Sequence, residues 1–355
     1  MKILLLGEYS GLHKNLQTGL VRAGHSVDLA SDGDGFKGIF GNIPLPKPKS
    51  RSIWDRQIYR MKYYEFIQSI KGYDVVQLIN VDVLIRKKFP YKKALKSLKE
   101  NNKKVFLLAA GSDAFYWQKS RQKLRYGPFD DELKYDAKKK RNSHQTKNAY
   151  KFNEYIAQNV DGIIPIMYEY AIGYQDLPNI RPTIPLPIDI ESIKHLPISA
   201  KPKISVWHGV TRYGFKGTRH IEKAFRLINQ NHGKNFNCKI HTSMPLQEYL
   251  RNLKSQDIIV DQVNSYSYGM NAIYAAAFGR VVLSGAEPEC LRELGVKSCP
   301  IVNVIPNAID IQEALIELEQ KNKLQEIGYA SRRYIEETHC CKKVARKYLD
   351  EWCRA

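Results

Sequence analysis

Ile3–Leu6 is a short, continuously apolar run, and Gly7-Glu8-Tyr9-Ser10-Gly11 follows it at once. Apolar residues without polar alternation, over a length too small for a buried helix, suit a strand covered on both faces, as in a parallel sheet. A helical pattern runs from about Leu12 to Ala23, with Leu16 and Leu20 on one face and Gly24 placed to end it. Ser26–Ala30 returns to strand. This strand–loop–helix–strand unit is the start of a doubly wound α/β domain. Acidic Glu8 directly behind so short a run reads as the end of a first strand, not as part of a secretory signal.

The rhythm continues. The spacing predicts a helix over 51–71, strands over 74–79 and 104–110, a basic helix over 91–100, a polar helix or helix pair over 133–157 and a strand over 161–167. Ile43–Pro48 is Pro-rich and reads as irregular. Pro182, Pro185 and Pro187 resist helix and sheet and mark a stiff linker. Beyond it, strands at 204–207, 238–241, 258–260 and 281–284 alternate with helices from His220, Leu246, Gly269 and Glu287. A helical tract from about Ile311 to Trp352 breaks around 338–341. At 355 residues the chain exceeds the usual size of one core. The expectation is an α/β protein of two Rossmann-like doubly wound domains, 1–185 and 186–335, with a helix at 336–355 that packs back on the first.

The net charge is +20, and the window 86–151 alone carries +14 of it. Such a patch fits an anionic membrane surface, a nucleic acid or a solvated helix face. No helix-turn-helix, zinc-finger spacing or RNA-binding aromatic motif accompanies it, so nucleic acid is not an expected partner. The six cysteines include no Cys-x-x-Cys pair. That usage fits a reduced cytoplasmic protein. Apolar runs stay far below the ~20 residues that cross a bilayer.

Two stretches carry candidate chemistry. Val206–Ala224 reads as strand, Gly-rich loop and helix, with Arg212 and Lys216 among Gly209, Gly214 and Gly217. Cations on such a loop, ahead of a helix N-terminus, suit a phosphate. The Lys-Ser/Thr pair of a Walker loop is missing. Asp113 follows the strand at 104–110, where α/β domains bind ligands; it also suits a helix N-cap. Asp32 and Asp34, in Ser31-Asp32-Gly33-Asp34-Gly35, have the spacing of metal ligands but read better as a Gly/Asp turn.

Several stretches together resemble the family-4 retaining glycosyltransferases of the GT-B fold. These are the Gly7–Gly11 turn, Gly24-His25-Ser26-Val27, Tyr73-Asp74-Val75-Val76, Pro185-Leu186-Pro187-Ile188-Asp189, and Arg212 with Lys216-Gly217. The resemblance implies two domains facing across a cleft and transfer of a sugar, with retention, from a nucleotide-sugar donor to a glycan or lipid-linked glycan in surface polysaccharide synthesis. It implies Arg212 and Lys216 as the diphosphate-binding and catalytic cations, with Gly217, Gly269, Asn271, Tyr274, Glu287 and Glu289 on the donor side. Gly7, Gly11 and His13 would form the acceptor-side loop, and Asp113 would orient the acceptor hydroxyl. No metal or other cofactor is implied. The basic window at 86–151 would dock the first domain on the inner face of a membrane. Lys216→Ala is expected to abolish transfer while leaving the fold intact.

One departure stands out. The family's paired glutamates fall on Tyr266 and Tyr274, and neither phenol supplies a carboxylate. Either donor recognition is rearranged, with Glu287 or Glu289 as candidates, or the chain is a catalytically silent nucleotide-sugar or glycan-binding homologue; both glutamates also suit the stabilisation of a helix N-terminus. A nicotinamide-dependent dehydrogenase is disfavoured, because Gly7 and Gly11 do not complete Gly-x-Gly-x-x-Gly.

Overall fold

The computed structural model describes all residues except 51, 86–88, 137–142, 243, 245 and 355, and the side chains of 246 and 247. The chain divides into two compact units, each of them discontinuous in sequence. The first comprises 1–122, 143–187 and 341–355; the second comprises 123–142 and 188–340.

The first unit holds six parallel strands: β1 (Lys2–Leu6), β2 (Ser26–Ser31), β3 (Ile43–Pro44), β4 (Val75–Leu78), β5 (Lys104–Ala109) and β6 (Gly162–Pro165). Their order is β3-β2-β1-β4-β5-β6, that of a dinucleotide-binding Rossmann sheet. Ile3, Leu4, Leu5 and Leu6 are all buried, as expected of a strand with a helix layer on each face. The second unit holds β7 (Ile204–Gly209), β8 (Phe236–His241), β9 (Ile258–Val260), β10 (Val281–Ser284) and β11 (Val302–Asn303), all parallel, in the order β11-β10-β9-β7-β8. Both units are therefore parallel-sheet α/β domains, as the apolar runs predicted.

The departures from the sequence reading are local. Ile43–Pro44 is a two-residue edge strand inside the stretch read as irregular. The tract after 308 is three helices, Ala308–Lys321, Leu324–Thr338 and Cys341–Arg354, the first break falling at Asn322 with φ +48. Of the region read as polar helix, Pro128–Tyr135 and Lys147–Asn159 are helical, and Lys138-Lys139-Lys140-Arg141 lies outside the described residues. Residues 123–142, read with the first domain, count with the second unit, as do 336–340.

The helix Cys341–Arg354 belongs to the first unit. It lies against the helix Leu12–Arg22, where a side chain on Gly19 would come within 2.2 Å of the Cys341 carbonyl oxygen. Its Trp352 is fully buried near Phe106 and donates its indole N–H to Gln77 Oε1 at 3.1 Å.

Candidate functional site

In the second sheet the strand order reverses between β7 and β9, and in open α/β sheets such a reversal opens a crevice at the strands' carboxyl ends. Lys216 sits there. Its ammonium donates to Asp261 Oδ1 at 2.7 Å, directly beyond β9, and to the Gly209 carbonyl at 3.2 Å, the last residue of β7. Lys216 and Asp261 are both buried. The loop winds tightly on the way: Lys216 N donates to Arg212 O, Gly217 N to Gly214 O and Thr218 N to Tyr213 O. Two glycines are steric necessities. A Cβ on Gly217, which has φ +72, would lie 2.6 Å from Val263 Cγ2, and one on Gly214 would lie 2.2 Å from the Asp131 carbonyl oxygen. Gly217 then opens the helix Thr218–Asn231.

His208 braces this crevice from within β7. Its Nδ1–H donates to Val260 O at 2.7 Å, so Nε2 is left to accept from Thr218 Oγ1 at 3.0 Å. Burial first, and then the Lys216 charge, lower its pKa to about 4. The folded state therefore holds the imidazole neutral, and its stabilising contribution is complete above the unfolded pKa near 6.5 and lost as pH falls toward 4. The stability advantage of the native protein over a His208→Gln variant is expected to shrink by about 3 kcal/mol across that window. Denaturant midpoints of both proteins, taken from pH 7 down to pH 4, check it; a constant difference refutes it.

The other residues expected on the donor side are distributed unevenly. Asn271 stands on the helix Met270–Ala277, which Gly269 opens, and its Nδ2 is 3.5 Å from Asp261 Oδ1. Tyr274 is half-buried one turn further along. Arg212 is exposed and stacks on Phe215, its guanidinium carbon 3.4 Å from the ring centre. The structure thus brings Lys216 and Asn271 to Asp261, with Gly217 and Gly269 opening the helices that follow, while the Arg212 side chain lies flat on the loop. Glu287 is buried and already engaged: Oε2 accepts from Arg125 Nη2 at 2.9 Å and Oε1 from the Tyr126 hydroxyl at 2.6 Å. Glu289 Oε1 is 3.8 Å from the same guanidinium, and its Oε2 is buried without a hydrogen-bond partner. Tyr266 accepts from Arg125 N at 2.9 Å and from its Nε at 3.0 Å. The segment bearing Arg125 and Tyr126 is fastened further on by Asp131, whose carboxylate accepts from Arg219 Nε at 2.9 and 3.0 Å and from Asn264 Nδ2 at 3.1 Å.

Asp261, Arg125 and Tyr126 escaped the sequence reading. Asp261 carried a signal, a carboxylate directly after an apolar strand. Arg125 and Tyr126 carried none, since their partners stand more than 130 positions away.

In the first unit, Gly7 leaves β1 with φ +90, and a Cβ there would be 2.3 Å from Ile79 Cγ2. His13 is fully buried, donates Nδ1–H to Gly7 O at 2.7 Å, and leaves Nε2 without a hydrogen-bond partner. Burial lowers its pKa to about 3, so the ring is neutral. Gly11, at φ +88, precedes the helix Leu12–Arg22, and its N–H donates to Glu8 Oε1 at 2.7 Å while Lys14 N donates to Oε2 at 2.7 Å. Gly7, Gly11 and His13 therefore form one compact turn. Asp113 is fully buried: Oδ1 accepts from Tyr116 N at 2.8 Å, the bond of a helix N-cap, and Oδ2 accepts from the Tyr174 hydroxyl at 2.6 Å. Burial raises its pKa to about 6. Asp34 accepts from Ser10 N at 2.7 Å and from Lys37 Nζ at 2.6 Å, in a turn where it adopts φ +51.

The basic window at 86–151 is not one surface of one unit, because 123–142 counts with the second. Residues 86–88 and 137–142 lie outside the described residues. On the helix Tyr91–Asn101, Lys99 pairs with Asp161 at 3.3 Å, Lys96 with Glu100 at 3.6 Å, and Lys92 lies over the Tyr155 ring. Among the described residues, no helix is long and apolar enough to cross a membrane.

The chain's fold, two parallel-sheet α/β units, is shared with solved GT-B glycosyltransferases. Sucrose-phosphate synthase from Thermosynechococcus elongatus superposes with a TM-score of 0.66 at 12% identity, over 100% of this chain and 99% of that one. HepE from Anabaena, solved in complex with UDP-glucose, does so with a TM-score of 0.62 at 10% identity and full coverage of both chains. A glycosyltransferase from Rickettsia africae gives 0.60 at 11% identity, over 99% and 97% of the two chains. Neither a family model nor a curated protein sequence matches the chain.

Proposed function

We propose that the chain is a nucleotide-sugar-dependent glycosyltransferase of the family-4 type that acts with retention on a glycan or lipid-linked glycan in surface polysaccharide synthesis, at the inner face of the membrane. The observation that carries this reading is the buried Lys216 ammonium at the strand-order reversal of the second sheet, beside a helix N-terminus. Among the described residues, two of its three N–H donors are used, by Asp261 and Gly209, and the third would meet a donor phosphate. A cation fixed in a water-poor crevice stabilises the charge that builds as the nucleotide leaves, without moving during the reaction. Arg212 would swing off Phe215 to meet the diphosphate bidentately. Protein cations at the phosphates make a metal unnecessary in this reading. HepE, solved with UDP-glucose, supports a uridine nucleotide as the first donor to try.

Incubation with UDP-, GDP- and ADP-sugars, with and without lipid-linked acceptors, is expected to release nucleotide from at least one donor, undiminished by a chelator. The silent-homologue reading keeps one specific support: Tyr266 and Tyr274 replace the family carboxylates, and Glu287 is already bound by Arg125 and Tyr126. Calorimetric binding of a nucleotide sugar without turnover on any acceptor would establish it. No binding at all would overturn both readings.

A further inference from the structure

The helix Ile53–Ser69 of the first unit buries Tyr63 and Ile67 on one side. On the opposite side Trp54, Ile58 and Met61, spaced by four and three residues, form a stripe exposed by 80%, 50% and 64%. Ile53 adjoins it, and Phe36 and Phe40 stand exposed on the loop before. Single exposed apolar side chains need no explanation, but here six of the twelve large exposed hydrophobics among the described residues fall between 36 and 61. The charge around them is predominantly positive: between 47 and 65 there are six basic residues and two acidic ones, Asp55 and Glu65. Asp55 is occupied by Ser50 Oγ near the helix start, and Glu65 lies one turn beyond Met61, at the far end of the stripe. On the inner side of the same helix, Tyr63 lies within electrostatic reach of Asp32 and Tyr9, so the helix borders the turns that follow β1 and β2.

We propose that this stripe is a docking face for an anionic lipid bilayer, with Trp54, Ile58 and Met61 entering the headgroup–acyl boundary and Lys62, Lys47 and Lys49 meeting the lipid phosphates. An amphipathic tryptophan-bearing stripe with a basic border matches such a boundary, where apolar burial and charge attraction add. A protein partner would need complementary acidic groups of fixed shape, whereas a bilayer asks only for this ordering of apolar and basic groups. The proposal rests on the glycosyltransferase reading in one respect: it brings the Gly7–His13 turn to a lipid-linked acceptor. It names a different surface from the basic window at 86–151.

The test is co-sedimentation of the full chain with vesicles of phosphatidylcholine containing phosphatidylglycerol. The native protein is expected to sediment with them, and a Trp54→Ser/Ile58→Ser/Met61→Ser variant to bind about tenfold more weakly, with unchanged thermal unfolding. Equal binding by the variant would overturn the proposal. So would equal capture by pure phosphatidylcholine, or loss of binding only in a Lys92→Ser/Lys93→Ser/Lys96→Ser variant. Sedimentation velocity showing a native dimer and a monomeric triple variant would instead assign the stripe to a second copy. Nucleotide release from a donor in lipid-free solution is expected to be equal in native and triple-variant proteins, so failure of docking and failure of the glycosyltransferase reading appear in separate assays.

Discussion

Lys216→Ala is expected to abolish donor turnover and also to lower the stability of the second unit by about 3–5 kcal/mol. The sequence alone suggested a catalytic cation whose loss would leave the fold intact. The structure changes that expectation, because removing the ammonium strands the buried Asp261 carboxylate, whose Oδ1 then faces the Asn271 amide at a long 3.5 Å. Removing one partner of a buried ion pair costs far more than the pair contributes, since the remaining charge is desolvated without compensation. Adding Asp261→Asn removes that charge and is expected to restore most of the lost stability while turnover stays absent. Denaturant unfolding of the native, single and double variants, beside donor turnover in each, separates the two roles. A single variant that unfolds with the native protein would refute the buried pair; a double variant that turns over donor would refute the phosphate role.

Trp352→Ala is expected to destabilise the first unit by about 3–5 kcal/mol from the cavity alone. Two further losses add to this. Gln77, buried in β4, loses the indole donor to its Oε1, and the rings of Phe106 and Tyr348 lose a neighbour. Cys353→Ala next to it is the control, because Cys353 is exposed and substitution there is expected to stay within about 0.5 kcal/mol. Thermal unfolding of both variants checks the pair. Equal shifts would mean that the helix Cys341–Arg354 is not part of the first unit's core.

What could be read from the sequence follows the range of the interactions. β1, β4 and β5 were legible because burial on both faces leaves a continuous apolar run, and the Gly7 and Gly217 turns because backbone geometry there demands glycine. β3 and β11, of two residues each, are too short to carry any period. Asn322 ends a helix through one left-handed residue, a break that a run of good helix formers does not announce. At the site, Lys216 was legible from its own loop. The identity of what it touches was not, because Asp261 is 45 positions away and an ion pair leaves no local pattern. The same holds for Arg125, whose contacts with Tyr266 and Glu287 span more than 140 positions. Nor does the sequence show that Glu287, expected with Glu289 on the donor side, accepts from Arg125 and Tyr126.

The interleaving of the two units has a consequence for biosynthesis. Residues 123–142 emerge from the ribosome before the rest of the second unit exists, and 341–355 emerge after all of it. The first sheet can pair its six strands early, but the buried seats of Tyr348 and Trp352 stay unfilled until the entire second unit has been translated. Neither unit can therefore mature as an uninterrupted nascent segment, and contacts this distant in sequence slow folding and prolong exposure of apolar surface. A chain stalled after residue 340 would display an unfinished first unit, a natural substrate for chaperones and proteases.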